Sequence, residues 1–430
     1  DESDNIVYVN ERKDTYRWTT IQKNTNSAID IFHDRDLISG GEIQTICIGV
    51  FLFDNAFLFS EKLAEALHNR DDSVDPFFTA IISYSKLKDF KLQIPDQWHD
   101  CGHVDSYYES RLNYQNLRHF NTLKFDAAKG LVTKRSRNTE QFRSQIRWFK
   151  QVPDELASFL PRIFKSDDGD DPFITMELLS IPTLSDLFVH QRIDLGAWHE
   201  VAEKIRWVQS ALLKYKIKSN AANQLCQDIY VDKTVDRIQA FLAESSAHQH
   251  LKIKTSQGYF SLIDVIETIN FYTKRSGLLE TQVLAPIHGD MCFSNVMYDA
   301  RGRHIKLIDP RGEFGVPGIY GDPRYDLAKL MHSYSGGYDL IISNQFTLKT
   351  NEQSLLLCTI DRKKYHDIVE SIFNRVLFQE QYQLDNIKAI QPLLFLSMLP
   401  LHSDNHLRQK AMLYTGLTLY FEQLCKLGQE

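Results

Sequence analysis

Three residues in the second half of the chain, Asp290, Asn295 and Asp309, have side chains and a spacing that suit phosphoryl transfer. Asn295 follows Asp290 by five residues, and Asp309 comes fourteen residues after Asn295. Transfer of a phosphoryl group from ATP needs a carboxylate to accept the proton of the attacking hydroxyl. It also needs an amide oxygen and a second carboxylate to hold Mg²⁺ on the phosphates. The order therefore predicts Asp290 as the catalytic base and Asn295 and Asp309 as metal ligands.

The residues inside this stretch predict the structure that would bring the three side chains together. Residues 295–299 and 304–308 have apolar side chains at alternate positions, which is typical of strands. The four residues between them have a turn composition. A hairpin here would return Asp309 to the same end as Asn295. In the alternative interpretation, Asp290 caps a turn and Asp309 ends a strand. That interpretation requires the three residues and the hairpin to occur together by chance.

These residues also carry a resemblance to a known family. His288-Gly289-Asp290, with Asn295 and Ile308-Asp309, resembles the signature of the aminoglycoside phosphotransferase and choline kinase superfamily, whose fold is protein-kinase-like. The resemblance covers about residues 115–430. It implies an α+β, bilobal fold, with a small β-rich N-lobe and a large, mostly helical C-lobe. It also implies ATP and Mg²⁺ as cofactors and a small-molecule hydroxyl as acceptor.

The residues around the predicted metal ligand depart from the family in one respect. The metal-binding Asp is followed by Pro-Arg-Gly, where many members have an aromatic residue or Glu, and this leaves the acceptor open. Arg311 or Arg324 would bind an anionic group on the acceptor, such as a phosphate or carboxylate. Asp326, in the acidic segment that opens the next helix, and His288 are predicted to support the catalytic loop.

Residues farther upstream predict the ATP-binding side of the site. Lys134 lies on a predicted strand and Glu140 opens the helix that follows, which is the order of the Lys–Glu ion pair that positions the phosphates in kinases. The alternative for this pair is a solvated surface contact. Residues 173–179 resemble a kinase hinge, in which backbone groups of Glu177 and Leu179 would bind the adenine edge. The sequence has no GxGxxG loop, which argues against a protein kinase.

The first part of the chain resembles a different family. Short apolar runs alternate with helical patterns there, which predicts an α/β unit. Residues 48–54 and 98–102, followed by 106–108, resemble the second half of sugar-1-phosphate nucleotidyltransferases, in which Asp100 would help to bind the metal. The Gly-rich nucleotide loop of that family's first half has no counterpart in the sequence. We therefore predict a partial domain that does not catalyse nucleotidyl transfer by itself.

The two resemblances together imply consecutive steps of one pathway. They imply a sugar, polyol or amino alcohol as the acceptor of the kinase, with a role in assembling bacterial surface polysaccharides. Two alternatives stay open. One is a bifunctional nucleotidyltransferase and kinase whose N-terminal half is truncated here, and the other is a non-catalytic, nucleotide-binding regulatory module.

Length and composition bound the remaining expectations. The 430 residues, 43% hydrophobic and 24% charged, predict a globular protein with domains at 1–114, 115–180 (N-lobe and hinge) and 181–430 (C-lobe). The net charge of −7 argues against a nucleic-acid partner, and no apolar run is long enough to predict a membrane span. The six cysteines lack CxxC spacing, which predicts reduced thiols in a cytoplasmic protein. The oligomeric state stays open, and residues 195–280 are predicted to be helical.

Overall fold

The computed structural model describes residues 5–12, 18–24, 28–32, 43–69, 75–100, 121–255, 257–378 and 384–428. The chain divides into two units, Asp1–Tyr114 and Gln115–Glu430. Over the described residues, no helix has the length and hydropathy needed to cross a membrane.

The first unit is a sheet with two helices. Its described elements are β1 (Ile6–Arg12), β2 (Thr20–Lys23), β3 (Ile29–Phe32), β4 (Gln44–Leu52), α1 (Ala56–His68), α2 (Pro76–Ser85) and β5 (Lys91–Gln93). The strand order is β3-β2-β4-β1-β5, and all neighbours are antiparallel except β1 and β5. The predicted alternation of strands and helices is therefore found only in part, because α1 and α2 follow each other directly.

The core of the first unit lies between its sheet and its helices. Val7, Ile21 and Ile29 of the strands are buried together with Ile81 and Tyr84 of α2. Asp100, predicted here as a metal ligand, is buried. The rest of that motif, residues 101–102 and 106–108, lies outside the described residues, so the nucleotidyltransferase resemblance stays a prediction.

The second unit begins with a small sheet and one helix. The strands are β6 (Asn121–Asp126), β7 (Leu131–Ser136), β8 (Ile163–Asp167) and β9 (Phe173–Glu177), and α3 (Thr139–Gln151) follows β7. Their order in the antiparallel sheet is β6-β7-β9-β8. Alternate residues of β7 point to the same face, and Lys134 is buried on the face that also buries Val132. Lys134 is therefore directed inward rather than to solvent.

The rest of this unit is mainly helical. Its helices are α4 (Leu184–Val189), α5 (Leu195–Leu213), α6 (Ala222–Gln227), a π-helical turn (Asp228–Asp232), α7 (Lys233–Glu244), α8 (Leu262–Arg275), α9 (Pro323–Tyr334), α10 (Tyr338–Ile342), α11 (Lys364–Leu377), α12 (Leu384–Ser397) and α13 (His406–Leu427). Most of their apolar side chains join one continuous core. The predicted fold class, a β-rich segment followed by a larger helical region, is confirmed for this unit.

Short strands interrupt the helical region. They are β10 (Ile217–Lys218), β11 (Lys252–Thr255), β12 (Gly258–Ser261), β13 (Val283–Pro286), β14 (Val296–Asp299), β15 (His304–Leu307), β16 (Glu313–Phe314), β17 (Val316–Pro317), β18 (Tyr320–Gly321), β19 (Phe346–Thr350) and β20 (Leu356–Ile360). The prediction that residues 195–280 are helical throughout was wrong at β10 and at the β11–β12 hairpin. The predicted catalytic hairpin, in contrast, is found as β14 paired with β15, with Val296 opposite Leu307.

Two contacts fix this hairpin to the rest of the unit. Thr183 pairs with Met297 as an isolated bridge, and the Tyr298 N–H donates to the Pro182 carbonyl at 3.0 Å. The segment after β9 is therefore held against the strand that begins next to Asn295. Because that segment connects the small sheet to the helices, it links the residues predicted to bind adenine with the hairpin that follows Asp290.

Candidate active site

The loop that carries Asp290 is held by Asp326 of helix α9. The two carboxylate oxygens of Asp326 accept the N–H groups of His288 at 2.7 Å and of Gly289 at 2.8 Å. Burial raises the pKa of Asp326 to about 7, and these two N–H donors act in the opposite direction. Gly289 has φ +78°, and a Cβ there would lie 2.9 Å from Arg311 Cβ. The loop therefore needs glycine at this position as well as the Asp326 brace.

His288 links the catalytic loop to the end of strand β15. Its Nδ1 accepts the Asp290 N–H at 3.3 Å, and its Nε2 lies 3.0 Å from the Ile308 carbonyl. Burial lowers the pKa of His288 to about 4, so the ring is neutral near pH 7. Only the tautomer with the proton on Nε2 satisfies both contacts. His288 thus connects the Asp290 backbone to the carbonyl group that precedes Asp309, as a neutral ring.

Asp290 and Asn295 are in direct contact, as the five-residue spacing suggested. The Asn295 Nδ2 donates to the Asp290 carbonyl at 2.9 Å and to its Oδ2 at 3.1 Å. Both contacts use the amide nitrogen of Asn295, and neither uses its Oδ1. The second carboxylate oxygen of Asp290, Oδ1, lies 2.8 Å from the Lys329 ammonium.

The ionised form of Asp290 is strongly favoured. Burial by itself would raise the pKa of this carboxyl group, but the charges of Lys329 and Arg311 hold it well below its usual range. Lys329 is itself buried, on helix α9 one turn after Asp326. Asp290 is therefore a fixed carboxylate at neutral pH, oriented by one contact on each oxygen.

Asp309 has an uncommon backbone conformation at the end of the hairpin. Its φ is +55°, in the left-handed region that Asp tolerates better than most residues. Its carboxylate accepts a hydrogen bond from the Lys134 ammonium, with 2.7 Å between Oδ1 and Nζ, and the side chain is 46% exposed. Backbone strain of this kind persists where surrounding structure enforces it, and it is common at functional sites. The carboxylate is thus partly exposed and still held by the buried lysine.

The donor set suits Mg²⁺ better than a transition metal. Asn295 and Asp309 provide oxygen ligands only, and Mg²⁺ is usually bound by one or two carboxylates together with waters and substrate phosphates. Within the described part of the chain, no three His, Cys, Asp or Glu side chains cluster as a self-contained metal site. The residues therefore fit an ion that arrives with a phosphorylated nucleotide.

The predicted ion pair between Lys134 and Glu140 is not formed. Lys134 pairs with Asp309 instead, whereas Glu140 pairs with Arg143 and its side chain is 81% exposed. Glu140 occupies the first turn of α3, where a carboxylate is favoured by the helix dipole and by an Arg three residues later. Glu140 lies at the start of the helix after β7, as predicted, but its side chain faces solvent.

Helix α3 is held at the site by amide and indole groups. The Gln145 Nε2 donates to the Pro310 carbonyl at 3.0 Å, and the Trp148 Nε1 donates to the Ile287 carbonyl at 2.6 Å. A Cβ on Gly312, whose φ is +69°, would lie only 2.1 Å from the Ser144 carbonyl oxygen. The Pro-Arg-Gly segment after Asp309 therefore packs directly on α3. This contact was not predicted from the sequence.

The hinge residues lie where strand β9 leaves the small sheet. The Glu177 N–H donates to the Arg162 carbonyl at 2.9 Å, and the Glu177 carboxylate lies 3.6 Å from the Lys306 ammonium of strand β15. The next residue, Leu178, donates its N–H to the Gly130 carbonyl at 2.8 Å. Leu179 follows and is half-buried. Leu179 therefore lies beyond the end of strand β9.

Of the two arginines predicted to bind the acceptor, only Arg311 lies beside Asp290. Arg311 donates to Glu313 at 3.2 Å, and its charge acts on the Asp290 carboxylate. Arg324 was assigned wrongly. It is buried against Asp322 at 2.8 Å and donates to the Leu278 carbonyl at 2.8 Å. Its role is to join the first turn of α9 to the segment after α8.

Sequence reasoning missed one lysine of this site, Lys329. A signal for Lys329 was available, since it falls three residues after Asp326 in a helix whose other residues are nearly all buried. Residues three apart lie on one helix face, so a lysine at this position was expected on the same side as the loop that Asp326 supports.

No protein-family model matches the chain, and no curated protein matches it. Among solved structures, it is similar to aminoglycoside 2'-phosphotransferase-IIIa in complex with GDP, at 14% identity over 71% of this chain and 90% of that chain, with a TM-score of 0.41. It is similar to a structure described as a fructosamine-3-kinase from Thermobifida fusca, at 15% identity over 67% of this chain and 85% of that chain, with a TM-score of 0.40. It is also similar to an ethanolamine kinase from Plasmodium vivax, at 12% identity over 85% of this chain and 93% of that chain, with a TM-score of 0.39. All three bear the names of kinases or phosphotransferases.

Proposed function

We propose that the Gln115–Glu430 unit is a phosphotransferase that moves the γ-phosphoryl group of ATP to a hydroxyl group of a small molecule. One observation carries the proposal. A carboxylate that is fixed in its ionised form, Asp290, touches an amide ligand, Asn295, at the start of a hairpin whose other end presents Asp309 to a buried lysine. This set contains the groups that phosphoryl transfer requires. Asp290 and Asn295 are in contact, and Asp309 lies at the other end of the hairpin that begins next to Asn295.

Each residue has a distinct task in the proposed reaction. The acceptor hydroxyl donates its hydrogen bond to Asp290, and its oxygen forms a bond to the γ-phosphorus as the bond to the β-phosphate oxygen breaks. The hydroxyl proton passes to Asp290, and ADP leaves. Because the pKa of Asp290 is held low, we expect it to orient the hydroxyl and to accept the proton late. That suits a loose transition state, in which positioning matters more than activation of the nucleophile.

The other residues would act on ATP. Lys134, which pairs with Asp309, would be the cation that contacts the nucleotide phosphates. Asn295 Oδ1 and the Asp309 carboxylate would hold Mg²⁺, which when bound would offset the negative charge of the phosphates. The backbone of Glu177 and Leu179 would receive the adenine. Glu140 has no part in this arrangement.

The proposal also includes a class of acceptor and a pathway. A sugar, polyol or amino alcohol as acceptor, and a role in surface polysaccharide assembly, are supported only by the sequence resemblances. The contact between Asp290 and Asn295 favours catalysis over the alternative of a non-catalytic nucleotide-binding module, because binding alone does not require a carboxylate at the hydroxyl position.

The test is transfer of radiolabelled phosphate from γ-³²P ATP to a panel of sugars, polyols and amino alcohols, with transfer to water measured in parallel. We expect at least one acceptor to be phosphorylated at a rate well above water. Asp290→Asn should abolish that transfer, whereas Asp299→Asn, a carboxylate change at the far end of the same hairpin, should leave it intact. Equal rates for wild type and Asp290→Asn with every acceptor would contradict the proposal.

A further inference from the structure

Helix α9 contacts the loop that carries Asp290 at three points. Asp326 binds the start of the loop, and Lys329 contacts Asp290. The third point is Ser333, whose Oγ accepts the Phe293 N–H at 3.1 Å in a buried hydrogen bond. These three helix residues follow one another by three and then four positions, a spacing that places them on one face of a helix. The loop therefore lies along this face of α9 and is bound to it at both ends.

The Phe293 N–H is a donor that its own turn leaves unpaired. Phe293–Asn295 is a short 3₁₀ turn, and the N–H groups in the first turn of a helix have no acceptor inside that helix. Within the described range 257–378, Cys292 precedes the turn and does not cap it with its side chain. Ser333 thus supplies, from a different helix, the acceptor that a capping side chain usually provides.

This turn sets the position of the proposed metal ligand relative to the proposed base. It begins three residues after Asp290 and ends at Asn295, whose amide nitrogen contacts the Asp290 carboxylate at 3.1 Å. The ring of Phe293 is buried and stacks on Trp198, with 5.4 Å between the ring centroids. A shift of the backbone at Phe293 would therefore move Asn295 away from its contact with Asp290.

The Ser333 hydroxyl is itself oriented by a buried carboxylate. Asp339 of α10 is buried and accepts hydrogen bonds from the hydroxyls of Ser333 and of Ser185 in α4. With its proton directed to Asp339, the Ser333 oxygen presents a lone pair to the Phe293 N–H. Among the described residues, the Oδ2 of Asp339 has no hydrogen-bond partner. Because such a buried oxygen destabilises a fold, stability alone does not account for Asp339 at this position.

We propose that Ser333 is a positioning residue for phosphoryl transfer, which holds the Phe293–Asn295 turn so that Asn295 stays in contact with Asp290. This inference rests on the proposed function and adds a residue to its site. Ser333 acts through the loop backbone and contacts neither ATP nor the acceptor. Its loss should therefore lower kcat much more than it changes KM for ATP.

The experiment compares wild type with Ser333→Ala, Ser333→Thr and a control, Ser397→Ala. The control removes a buried serine hydroxyl that donates to the Leu394 carbonyl of its own helix, α12, at 3.1 Å. Each protein is assayed for kcat and KM for ATP with the same acceptor panel, and Tm is measured for each. Hydrogen exchange of the Phe293 amide reports whether the turn is still held.

Ser333→Ala should lower kcat roughly 10- to 100-fold, as expected when reacting groups are misplaced, and should leave KM for ATP nearly unchanged. The Phe293 amide should exchange faster in this variant. Ser397→Ala should also lower Tm but should leave kcat and the Phe293 exchange rate unchanged. Ser333→Thr keeps the acceptor oxygen and adds a methyl group at a fully buried position. It should therefore lower Tm through overpacking and still recover most of kcat.

Two results would overturn the proposal. One is a wild-type kcat for Ser333→Ala. The other is that kcat follows Tm across all the variants, so that Ser333→Thr loses as much activity as Ser333→Ala, which would make Ser333 a stabilising residue only. Failure of the proposed function would look different. Wild type would then phosphorylate no acceptor and ATP turnover would not depend on Asp290, while Ser333→Ala would still speed exchange at Phe293.

Discussion

The buried ion pair between Lys329 and Asp290 gives the sharpest prediction about the site. Replacing Lys329 by Met keeps an unbranched side chain of similar length and removes the charge. The ammonium lies 2.8 Å from Asp290 Oδ1, and the side chains of Lys329 and Asp290 are 8% and 30% exposed. After the change, Asp290 would keep only Arg311 and Asn295 to balance the cost of its burial.

The expected size of the effect follows from this geometry. Removing one partner of a fully buried pair costs about 3–5 kcal/mol. Because Asp290 is partly exposed, we take the lower end, about 3 kcal/mol. If this loss falls on the transition state, kcat drops by about 100-fold. The pKa of Asp290 should rise, so activity should be lost on the acidic side at a higher pH than in wild type, because the base must be ionised to accept the proton.

The assay is kcat against pH, from about 5 to 9, for wild type, Lys329→Met and Lys329→Arg, with Tm measured for each. Lys329→Arg should recover part of the activity, since it restores the charge. A control, Lys426→Met, removes an exposed lysine near the end of α13 and should change nothing. A profile for Lys329→Met that overlays that of wild type, with only Tm lowered, would show that Lys329 stabilises the fold and does not set the charge of Asp290.

Three further predictions concern the nucleotide side and the packing of the segment after Asp309. Asp309→Asn should raise KM for Mg-ATP at least tenfold and lower kcat, because it removes a charge that offsets the metal; unchanged KM across a magnesium titration would contradict the metal assignment. Glu140→Gln should leave KM for ATP unchanged, since Glu140 faces solvent, and a tenfold rise would mean that it pairs with Lys134 once ATP binds. Gly312→Ala should lower the free energy of unfolding by about 3 kcal/mol or more, because its Cβ would overlap the backbone of α3. Gly130→Ala, with a similar positive φ but open space, should cost only about 1 kcal/mol in a denaturant titration.

The hairpin between Asn295 and Asp309 was predictable because two independent patterns agreed. The alternation of apolar residues in β14 and β15 sets which side chains are buried, and the turn between them fixes their pairing. Once the hairpin forms, the separation of Asn295 and Asp309 follows from chain geometry. The buried Asp326 brace was also predictable, since a carboxylate in the first turn of a helix has few partners other than nearby N–H groups.

The partner of Lys134 was not predictable in the same way. Choosing Glu140 relied on its position at the start of the helix that follows Lys134, and that reasoning ignored which face of the helix it occupies. Helix α3 turns Phe142, Gln145 and Ile146 inward, so a residue at position 140 is directed to solvent. The lysine could reach Asp309 only because the Pro-Arg-Gly segment packs against α3, a tertiary contact with no local sequence signal.

Lys329 shows a second limit. A lysine in an amphipathic pattern is normally assigned to the solvent face, and here Lys329 lies inside because Asp290 supplies a counter-charge. The β11–β12 and β19–β20 hairpins were missed for a related reason. Their strands are short, and their alternation is weak compared with the long helical patterns on either side.

The most direct test of the central claim is a comparison of ATP affinity and phosphoryl transfer for wild type and Asp290→Asn at fixed magnesium. The amide has nearly the same shape, can still contact Asn295, and cannot accept a proton. We predict nearly unchanged ATP affinity and loss of transfer to the acceptor. Asp290→Asn with near wild-type turnover on the true acceptor would show that Asp290 is not the base, and the catalytic assignment of the His288–Asn295 loop would fail.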